Sequence, residues 1–159
     1  GDNFTESLAY IARIAPGLVL LPNRGEVRVQ PIFVEDLVTC LLWSLDNPEL
    51  KNETREIGGS EYFSLRQIME ILSEVMGKKR AYLSAPTPYV RLLNVILHTS
   101  LPNYSLSSFF LDYLATDRTC ETDSLPRIFG LMPSRFTYRL DYLRQKSWRE
   151  RLRERGKKQ

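Results

Sequence analysis

Tyr142 and Lys146 stand four residues apart, a spacing that could support proton transfer. On a helix, residues four apart lie on the same face, and a nearby ammonium lowers the pKa of a phenol so that it can exchange a proton with a substrate. His98 is the only histidine of the chain. It has no identifiable carboxylate or cysteine partner for a metal site or a catalytic triad, and we predict that it is structural or exposed.

Cys40 and Cys120 are far apart and lack the spacing of metal ligands. Cys40 falls within an apolar helical pattern, which favours reduced core cysteines over a disulfide or a reactive site. Gly58 and Gly59 could allow a ligand to approach the backbone, but a turn is the favoured interpretation. Neither feature predicts a catalytic centre.

The composition fits one soluble globular domain, since 43% of the 159 residues are hydrophobic. No apolar run approaches the roughly 18 residues of a membrane span, and the N-terminus has no basic-then-apolar signal layout. Residues 144–159 carry eight Lys/Arg against two Glu. Such a tail could contact nucleic acid or an anionic membrane, yet its interleaved charges favour a solvated helical end. We therefore expect a cytoplasmic protein with no nucleic-acid partner and no membrane span.

The elements around these residues centre on 28–43, where an extended, β-branched segment runs directly into a helical pattern. Pro31 removes one backbone donor, which places this strand at an edge or at a bulge. The carboxylates of Glu35 and Asp36 mark the helix start, and we assign Asp36 to capping. The apolar spacing that follows predicts a buried helix face. Its residues are Leu37, Val38, Leu41, Leu42 and Leu45.

Other elements follow from capping and periodicity. Ser64 and Gln67 have the spacing of a capping box and open a helix that Gly77 ends. Residues 18–22 and 80–84 read as short strands, and residues 55–57 as a strand before the glycine pair. The remaining predicted helices span 3–15, the two apolar faces within 88–114, 123/124–129, and a last helix capped by Ser134.

Four stretches resemble, in the right order, segments of atypical and extended short-chain dehydrogenases/reductases, the NAD(P)-dependent epimerase/dehydratase relatives that include the complex I accessory-subunit branch. Residues 30–37 (QPIFVEDL) resemble the family segment near the start of its substrate-binding half. Residues 1–4 (GDNF), 62–68 (YFSLRQI) and 130–133 (GLMP) resemble three further family segments. Each motif is degenerate alone, and the order carries the resemblance.

The resemblance implies an α/β (mixed α+β) fold, the helix-rich C-terminal portion of a Rossmann-type short-chain dehydrogenase without its dinucleotide-binding half. The sequence contains no strand that is followed directly by a G-x-G-x-x-G turn and then by a helix. We therefore expect no cofactor site in this chain, NAD or NADP in a parent protein, and a missing N-terminal Rossmann half as partner. Residues 1–143 would form the substrate-binding domain, and 144–159 a basic helical tail.

Motif position alone assigns five residues to the parent's small-molecule substrate pocket. These are Asn3, Phe4, Gln30, Pro31 and Phe33. The family's tyrosine and lysine pair lies upstream of the segment matched by residues 1–4, so Tyr142 and Lys146 are interpreted as a chance match and no catalytic or metal-binding residue is assigned. In relatives that act on nucleotide sugars, an arginine commonly binds the diphosphate from the position that Val29 occupies here. Its absence weakens the hypothesis of a nucleotide-sugar substrate.

Two functions remain open at this stage. One is the substrate-binding half of an oxidoreductase or epimerase, inactive alone. The other is a non-enzymatic interaction module that binds a partner or forms a homo-oligomer through the apolar surface left by the missing half. Cofactor titration and oligomeric state separate them.

Overall fold

Helices and short strands alternate along residues 3–100, 116–140 and 143, the part of the chain that the computed structural model describes. The helices are α1 (Asn3–Ile14), α2 (Val34–Asp46), α3 (Leu65–Val75), α4 (Thr87–Ser100) and α5 (Ser124–Phe129). The strands are β1 (Leu18–Pro22), β2 (Arg28–Val29), β3 (Phe63–Ser64) and β4 (Ala81–Ala85). Short 3-10 turns span Asn23–Gly25, Pro48–Leu50 and Phe136–Arg139.

The strands form two small sheets. β1 and β4 run parallel, with Leu18 opposite Ala81 and Leu20 opposite Leu83. β2 and β3 run antiparallel, and Val29 also bridges to Arg118 on its other side. The parallel pair joins segments separated by the whole of α2 and α3, as expected because parallel strands need a long crossover.

The main core lies between α1, α3 and one face of the parallel pair. Val19 and Leu21 of β1 point into it, while Leu18, one residue earlier, is exposed, which is the alternation of a half-buried strand. α3 contributes four almost fully buried side chains, Leu65, Ile68, Met69 and Leu72. Ser64 and Gln67 make both bonds of the predicted capping box, so this prediction is confirmed.

The predicted burial of the α2 face is wrong for four of its five residues, and the fifth, Leu37, is half-buried. Cys40 is the buried residue of this helix, whereas Val38, Leu41, Leu42 and Leu45 are 46%, 56%, 58% and 82% exposed. The helix itself forms where the sequence predicts, because spacing and propensity decide helix formation locally. The spacing of apolar residues does not determine which element packs against the helix. No element in the described part of the chain covers this face.

Three further expectations need correction. Residues 53–59 have no regular secondary structure, so the predicted strand at 55–57 is absent. The extended segment before α2 pairs as a strand over only Arg28 and Val29. The last segment makes a short 3-10 turn after Arg135 instead of a helix capped by Ser134. Residues 1–2, 101–115, 141–142 and 144–159 lie outside the described part of the chain. Tyr142, Lys146, the basic tail and the second apolar face predicted before residue 114 fall within these ranges.

Candidate functional site

The junction between β2 and α2 is held by the side chain of Gln30. Its Nε2 donates to the backbone oxygen of Gly59 at 2.7 Å, and its Oε1 accepts from the backbone nitrogen of Cys120 at 2.8 Å. Both ends of the amide are therefore engaged within the chain. Gln30 ties two distant loops to the start of α2, while its Nε2 keeps a second hydrogen and its Oε1 a second lone pair.

The glycine pair packs directly against this junction. A Cβ at Gly59 would lie 1.9 Å from the backbone oxygen of Pro31, and one at Gly58 would lie 2.6 Å from Cδ of Gln30. Neither glycine has a positive φ. Gly59 is thus required by the close approach of the Pro31 backbone, and Gly58 lies against the side chains of Gln30 and Cys120, so neither glycine serves a left-handed turn. This differs from both alternatives considered for the pair.

Asp36 fastens the first turn of α2 to the loop after α5. Its Oδ2 accepts from the backbone nitrogen of Ser134 at 2.7 Å, and its Oδ1 lies 3.4 Å from the Ser134 hydroxyl. The N-cap position of α2 is Phe33, which makes no side-chain capping bond. Asp36 therefore joins elements that are distant in sequence, and Ser134 is its donor instead of a helix cap.

The five predicted pocket residues fall into two groups. Gln30, Pro31 and Phe33 lie together in the segment that enters α2, where Phe33 is half-buried and its carbonyl accepts from Leu37. Asn3 is the first residue of α1, and Phe4 packs against the main core. Among the described contacts, nothing joins the two groups in one cavity. Their role as a common pocket stays a prediction.

A polar cavity of about 610 Å³ opens beside the junction, between the end of α2, residues 54–56 and α5. Cys120 and Ser124 line it, with Sγ and Oγ 3.6 Å apart, and Ser124 Oγ accepts from Gly58 N at 3.3 Å. Its two arginines are already paired, Arg55 with Glu53 and Arg127 with Glu121.

Arg28 and Val29 face opposite ways, as the strand pattern predicts. Val29 is 5% exposed and belongs to the core, while the Arg28 guanidinium lies 5.6 Å from the centre of the Tyr62 ring. This is the range of a cation–π contact. Residue 29 thus offers no cation at the position where relatives would grip a diphosphate.

Among the described residues, two titratable groups, Cys40 and Tyr82, have raised pKa values. Burial and then the nearby Asp36 carboxylate raise the pKa of the Cys40 thiol, which disfavours a reactive thiolate. Burial raises the pKa of Tyr82, whose hydroxyl donates to the Met69 carbonyl at 2.8 Å and lies 2.6 Å from Ser73 Oγ. His98 is exposed in the last turn of α4, as predicted. The described residues contain no cluster of potential metal ligands.

A separate apolar cavity of about 380 Å³ lies between α1, β1, α3 and α4. Leu8, Ile11, Leu20 and Leu93 are among its lining residues, and Asn94 is its one buried polar neighbour. None of the five predicted pocket residues lines it. Its position was not predicted, because helical periodicity does not report which helices meet.

The described residues do not fit a dinucleotide. Such a cofactor needs glycines that bring backbone N–H groups to its pyrophosphate at a helix N-terminus. Here the run of positive φ values at Asn23, Arg24 and Gly25 joins two strands, and the start of α3 is closed by its own capping box.

The comparisons with known proteins give a fold. No protein-family model matches the chain, and no curated protein matches it. Triphenylmethane reductase from Citrobacter sp., crystallised with NADP(H), has a TM-score of 0.63 and 17% identity over 89% of this chain. The chain spans about half, 49%, of that reductase's length. The described chain therefore has the fold of one region of a Rossmann-type reductase.

Two sugar-nucleotide enzymes from Campylobacter jejuni are more distant. GDP-mannoheptose C4 reductase with NADP bound and GDP-D-glycero-L-gluco-heptose synthase with NADPH have TM-scores of 0.37 and 0.38. Each is 16% identical over 81% of this chain, which spans 37% of either enzyme. Similarity at this level carries no argument about this chain.

Sequence reasoning missed the polar network that fixes the junction. Cys120, Ser124 and Ser134 were assigned no contact with the β2–α2 segment, although each bonds to it or to the glycine pair. The bonds to Cys120 and Ser134 span 90 and 98 residues. No local signal reports such a pairing.

Proposed function

We propose that this chain is the C-terminal, substrate-binding half of an NAD(P)-dependent oxidoreductase or epimerase of the epimerase/dehydratase type, in the branch related to the complex I accessory subunit. In this proposal a nucleotide-binding Rossmann half supplies NAD or NADP, and the chain catalyses nothing alone. Its fold, shared with about half of an NADP(H)-binding reductase, supports the proposal. Both cysteines are free, which is compatible with a cytoplasmic location.

The observation that carries the proposal is the outward face of α2. At 3.6 residues per turn, Val34, Val38, Leu41 and Leu45 share one side of the helix. They are 63%, 46%, 56% and 82% exposed. A stripe of this kind marks an interaction surface when it is contiguous. In this proposal the nucleotide-binding half of the parent protein packs against the stripe and covers it.

The stripe is held in place without being covered. Cys40 anchors the inner side of α2 in the protein, and the bonds from Ser134 to Asp36 fix its first turn. A rigid apolar face loses little conformational entropy when a partner docks on it. α2 is thus organised as one side of an interface before the partner arrives.

The predicted pocket residues take distinct parts in this proposal. Pro31 and Phe33 stand where the chain enters α2, at the edge of the docking face, and would border a small-molecule substrate held between the two halves. Gln30 acts as a positioning residue, because both ends of its amide hold the loop. Asn3 and Phe4 stand at the start of α1 of this chain and would border the same pocket where α1 meets the nucleotide-binding half.

The test is to clone the native gene upstream of the codon for Gly1 and to titrate NADPH and NADH into the longer protein and into this chain. We expect saturable binding by the longer protein and none by this chain. The substitution Leu41→Asp should weaken cofactor binding by the longer protein, because it charges the interface between the halves. Leu92→Asp, on α4 with similar exposure, is the matched control and should leave binding intact.

Two results would overturn the proposal. One is tight, saturable NADPH binding by this chain alone. The other is a native upstream region that lacks a strand, a glycine-rich turn and a helix. If the glycine-rich turn is present without a tyrosine and lysine four residues apart, a cofactor-binding protein without standard catalysis becomes the better assignment.

The same exposed stripe favours the second candidate, a self-association module. In that case this chain would form stable oligomers that Leu41→Asp dissociates, and no upstream nucleotide-binding half would exist. Light scattering at high protein concentration, combined with the sequence of the upstream gene region, distinguishes the two candidates. A clean monomer at all concentrations would contradict self-association.

A further inference from the structure

β1 has one edge that no described element pairs with. On its other edge β1 pairs with β4, and the Ala81 N–H donates to the carbonyl of Gly17, the residue before β1, at 2.8 Å. The backbone groups of successive residues in an extended strand point to opposite edges. Gly17 faces β4, and Val19 and Leu21 have the same parity, so their N–H and C=O groups face β4 as well.

The backbone groups of Leu18 and Leu20 therefore face the unpaired edge, each with one N–H donor and one C=O acceptor. Pro22 has the same parity, so its missing donor removes no hydrogen bond from the ladder with β4. A parallel sheet of two strands is unusual, because parallel sheets are covered on both faces and sheets commonly have about four to six strands. The edge offers the hydrogen-bonding pattern of a strand that lacks its neighbour.

The apolar cavity of about 380 Å³ opens along this edge, since all five residues of β1 line it and none of β4 does. α1 and α3 pack on the face of β1 that points into the main core, and α4 packs on the opposite face, where Val90 meets Leu20. Both faces contribute walls, among them Leu8 of α1, Met69 of α3 and Leu93 of α4. The cavity is thus a slot between two helix layers, with a strand edge as its floor.

Other covers match this slot less well. A small apolar ligand could fill it, but the backbone groups of Leu18 and Leu20 would then be buried without hydrogen-bond partners, at a cost in free energy. In a second copy of the chain, β1 is itself flanked by α1 and α4, so helices would reach the slot before the strand. No helix in the described ranges is long and apolar enough to cross a membrane. One extended segment satisfies the strand edge and both apolar walls together.

The order of the elements indicates where such a segment would come from. α1 leads directly into β1, and helices of this kind join parallel strands that usually lie side by side. A strand that leads into α1 would therefore run parallel to β1 and next to it, and β4 already occupies the other edge. The chain spans 49% of a reductase with the same fold, so a larger parent protein has room for this strand.

We propose that the slot receives a β-strand of the nucleotide-binding half, the strand that leads into α1, and that this strand pairs in parallel with β1. Its backbone bonds to Leu18 and Leu20, and its side chains point alternately toward α1 with α3 and toward α4. Both faces of such a strand are buried, so its residues are mostly valine, isoleucine and leucine. This inference rests on the proposed function and adds the point at which the two halves share one sheet.

The first experiment is amide hydrogen exchange, followed by NMR, of this chain and of the longer protein from the native gene. The Leu18 and Leu20 amides should exchange about a hundredfold more slowly in the longer protein, because they gain hydrogen bonds inside a sheet. The Val19 and Leu21 amides bond to β4 in both proteins. They are the internal control and should be protected in both.

The outcomes separate this inference from the proposed function. If the longer protein binds NADPH but exchanges Leu18 and Leu20 as fast as this chain does, the inference is wrong and the proposed function stands. If the edge is protected without cofactor binding, the pairing stands and the proposed function fails. Protection of these amides in this chain alone would overturn the inference, because another segment or a second copy would then cover the edge. A native gene without a strand before α1 would overturn it as well.

A pair of substitutions on α4 tests the apolar wall. Leu93 lines the slot and Leu92 does not, and they are 37% and 59% exposed in this chain. Here Leu93→Arg and Leu92→Arg should both leave thermal unfolding nearly unchanged. In the longer protein, Leu93→Arg should lower the Tm by several degrees, because it buries a guanidinium without a partner, and Leu92→Arg should not. Equal Tm losses in the longer protein would contradict a covered wall at Leu93.

A backbone substitution tests the edge itself. Leu20→Pro removes the donor that faces the slot and leaves the ladder with β4 intact, whereas Leu20→Ala truncates the same side chain and keeps the donor. The two variants should unfold alike in this chain. In the longer protein, Leu20→Pro should have the lower Tm and should lose the protection of the Leu18 amide. If the two variants unfold alike there too, no strand pairs with β1 and the inference is wrong.

Discussion

α2 and α3 carry the same kind of sequence pattern and have opposite fates. Both have apolar residues at helical spacing, yet Ile68 and Leu72 of α3 are fully buried while Leu41 and Leu45 of α2 are mostly exposed. α3 starts with a reciprocal capping box, whereas α2 starts at Phe33 without a side-chain cap. α3 is therefore held by several side chains in the core, and α2 by the buried Cys40 and by polar contacts at its beginning. A stripe of apolar residues indicates that a helix face is to be covered, but it does not identify the element that covers it.

The largest test of this difference is a matched pair of truncations. Leu72→Ala should lower the free energy of unfolding by about 2–5 kcal/mol, because it leaves a cavity in the core. Leu41→Ala, the same change on an exposed helix face, should alter it by less than about 0.5 kcal/mol. Urea unfolding of the isolated chain measures both. Similar losses in the two variants would show that α2 is covered in solution, by a second copy or by another part of the chain.

A second pair tests how α2 is attached. Asp36→Ala should destabilise the chain by about 1–3 kcal/mol, since it removes a charged acceptor from the Ser134 backbone nitrogen. Glu35→Ala removes the same charge one residue earlier, at an exposed position without that contact, and serves as the control. Urea unfolding of each variant gives the values. If Glu35→Ala lowers the free energy of unfolding as much as Asp36→Ala does, the effect comes from the helix dipole and not from the hydrogen bond to Ser134.

The caps provide a smaller effect. Ser64→Ala should cost about 1 kcal/mol, because the Ser64 hydroxyl accepts from the Gln67 backbone nitrogen at 3.1 Å. Ser44→Ala is the control on α2, where the exposed hydroxyl bonds only to the Leu41 carbonyl, and should be close to neutral. Thermal unfolding followed by circular dichroism distinguishes them. A neutral Ser64→Ala would contradict the contribution assigned to the capping box.

The smallest effect is on alkaline stability, and it involves both helices. The raised pKa values of Cys40 in α2 and Tyr82 against α3 mean that the folded chain keeps these protons to higher pH than the unfolded chain does. Their stabilisation is complete below the unfolded pKa values, near 8.5 for cysteine and 10 for tyrosine, and declines as pH rises through the folded values. Unfolding at a series of pH values should show this decline, and Tyr82→Phe should reduce its upper part.

Thiol labelling gives an independent check on the inner side of α2. Cys120 should react faster than Cys40, because Cys40 is 1% exposed and its thiolate is disfavoured. Ellman's reagent at mildly alkaline pH, with Cys120→Ser to assign the phases, measures this. Fast reaction at Cys40 would mean that α2 leaves the protein, and its outer face would then be no fixed interface.

What the sequence determined by itself was local. The extents of α1, α3 and α5, the capping box at Ser64 and the glycine stops at Gly77 and Gly130 were all predicted, because these depend on residues within one turn of each other. The motif order also predicted the fold class. The five pocket residues stay predictions, since their assignment rests on motif position.

Only the tertiary structure decided which apolar faces are covered. α2 and α4 look amphipathic in the same way as α3, and burial depends on neighbours brought from far along the chain. The same holds for Gln30 with Cys120 and for Asp36 with Ser134, whose hydrogen bonds join residues 90 and 98 positions apart. Hydrogen bonds between distant segments leave no periodic trace in a sequence, because each depends on where the whole chain places one donor and one acceptor.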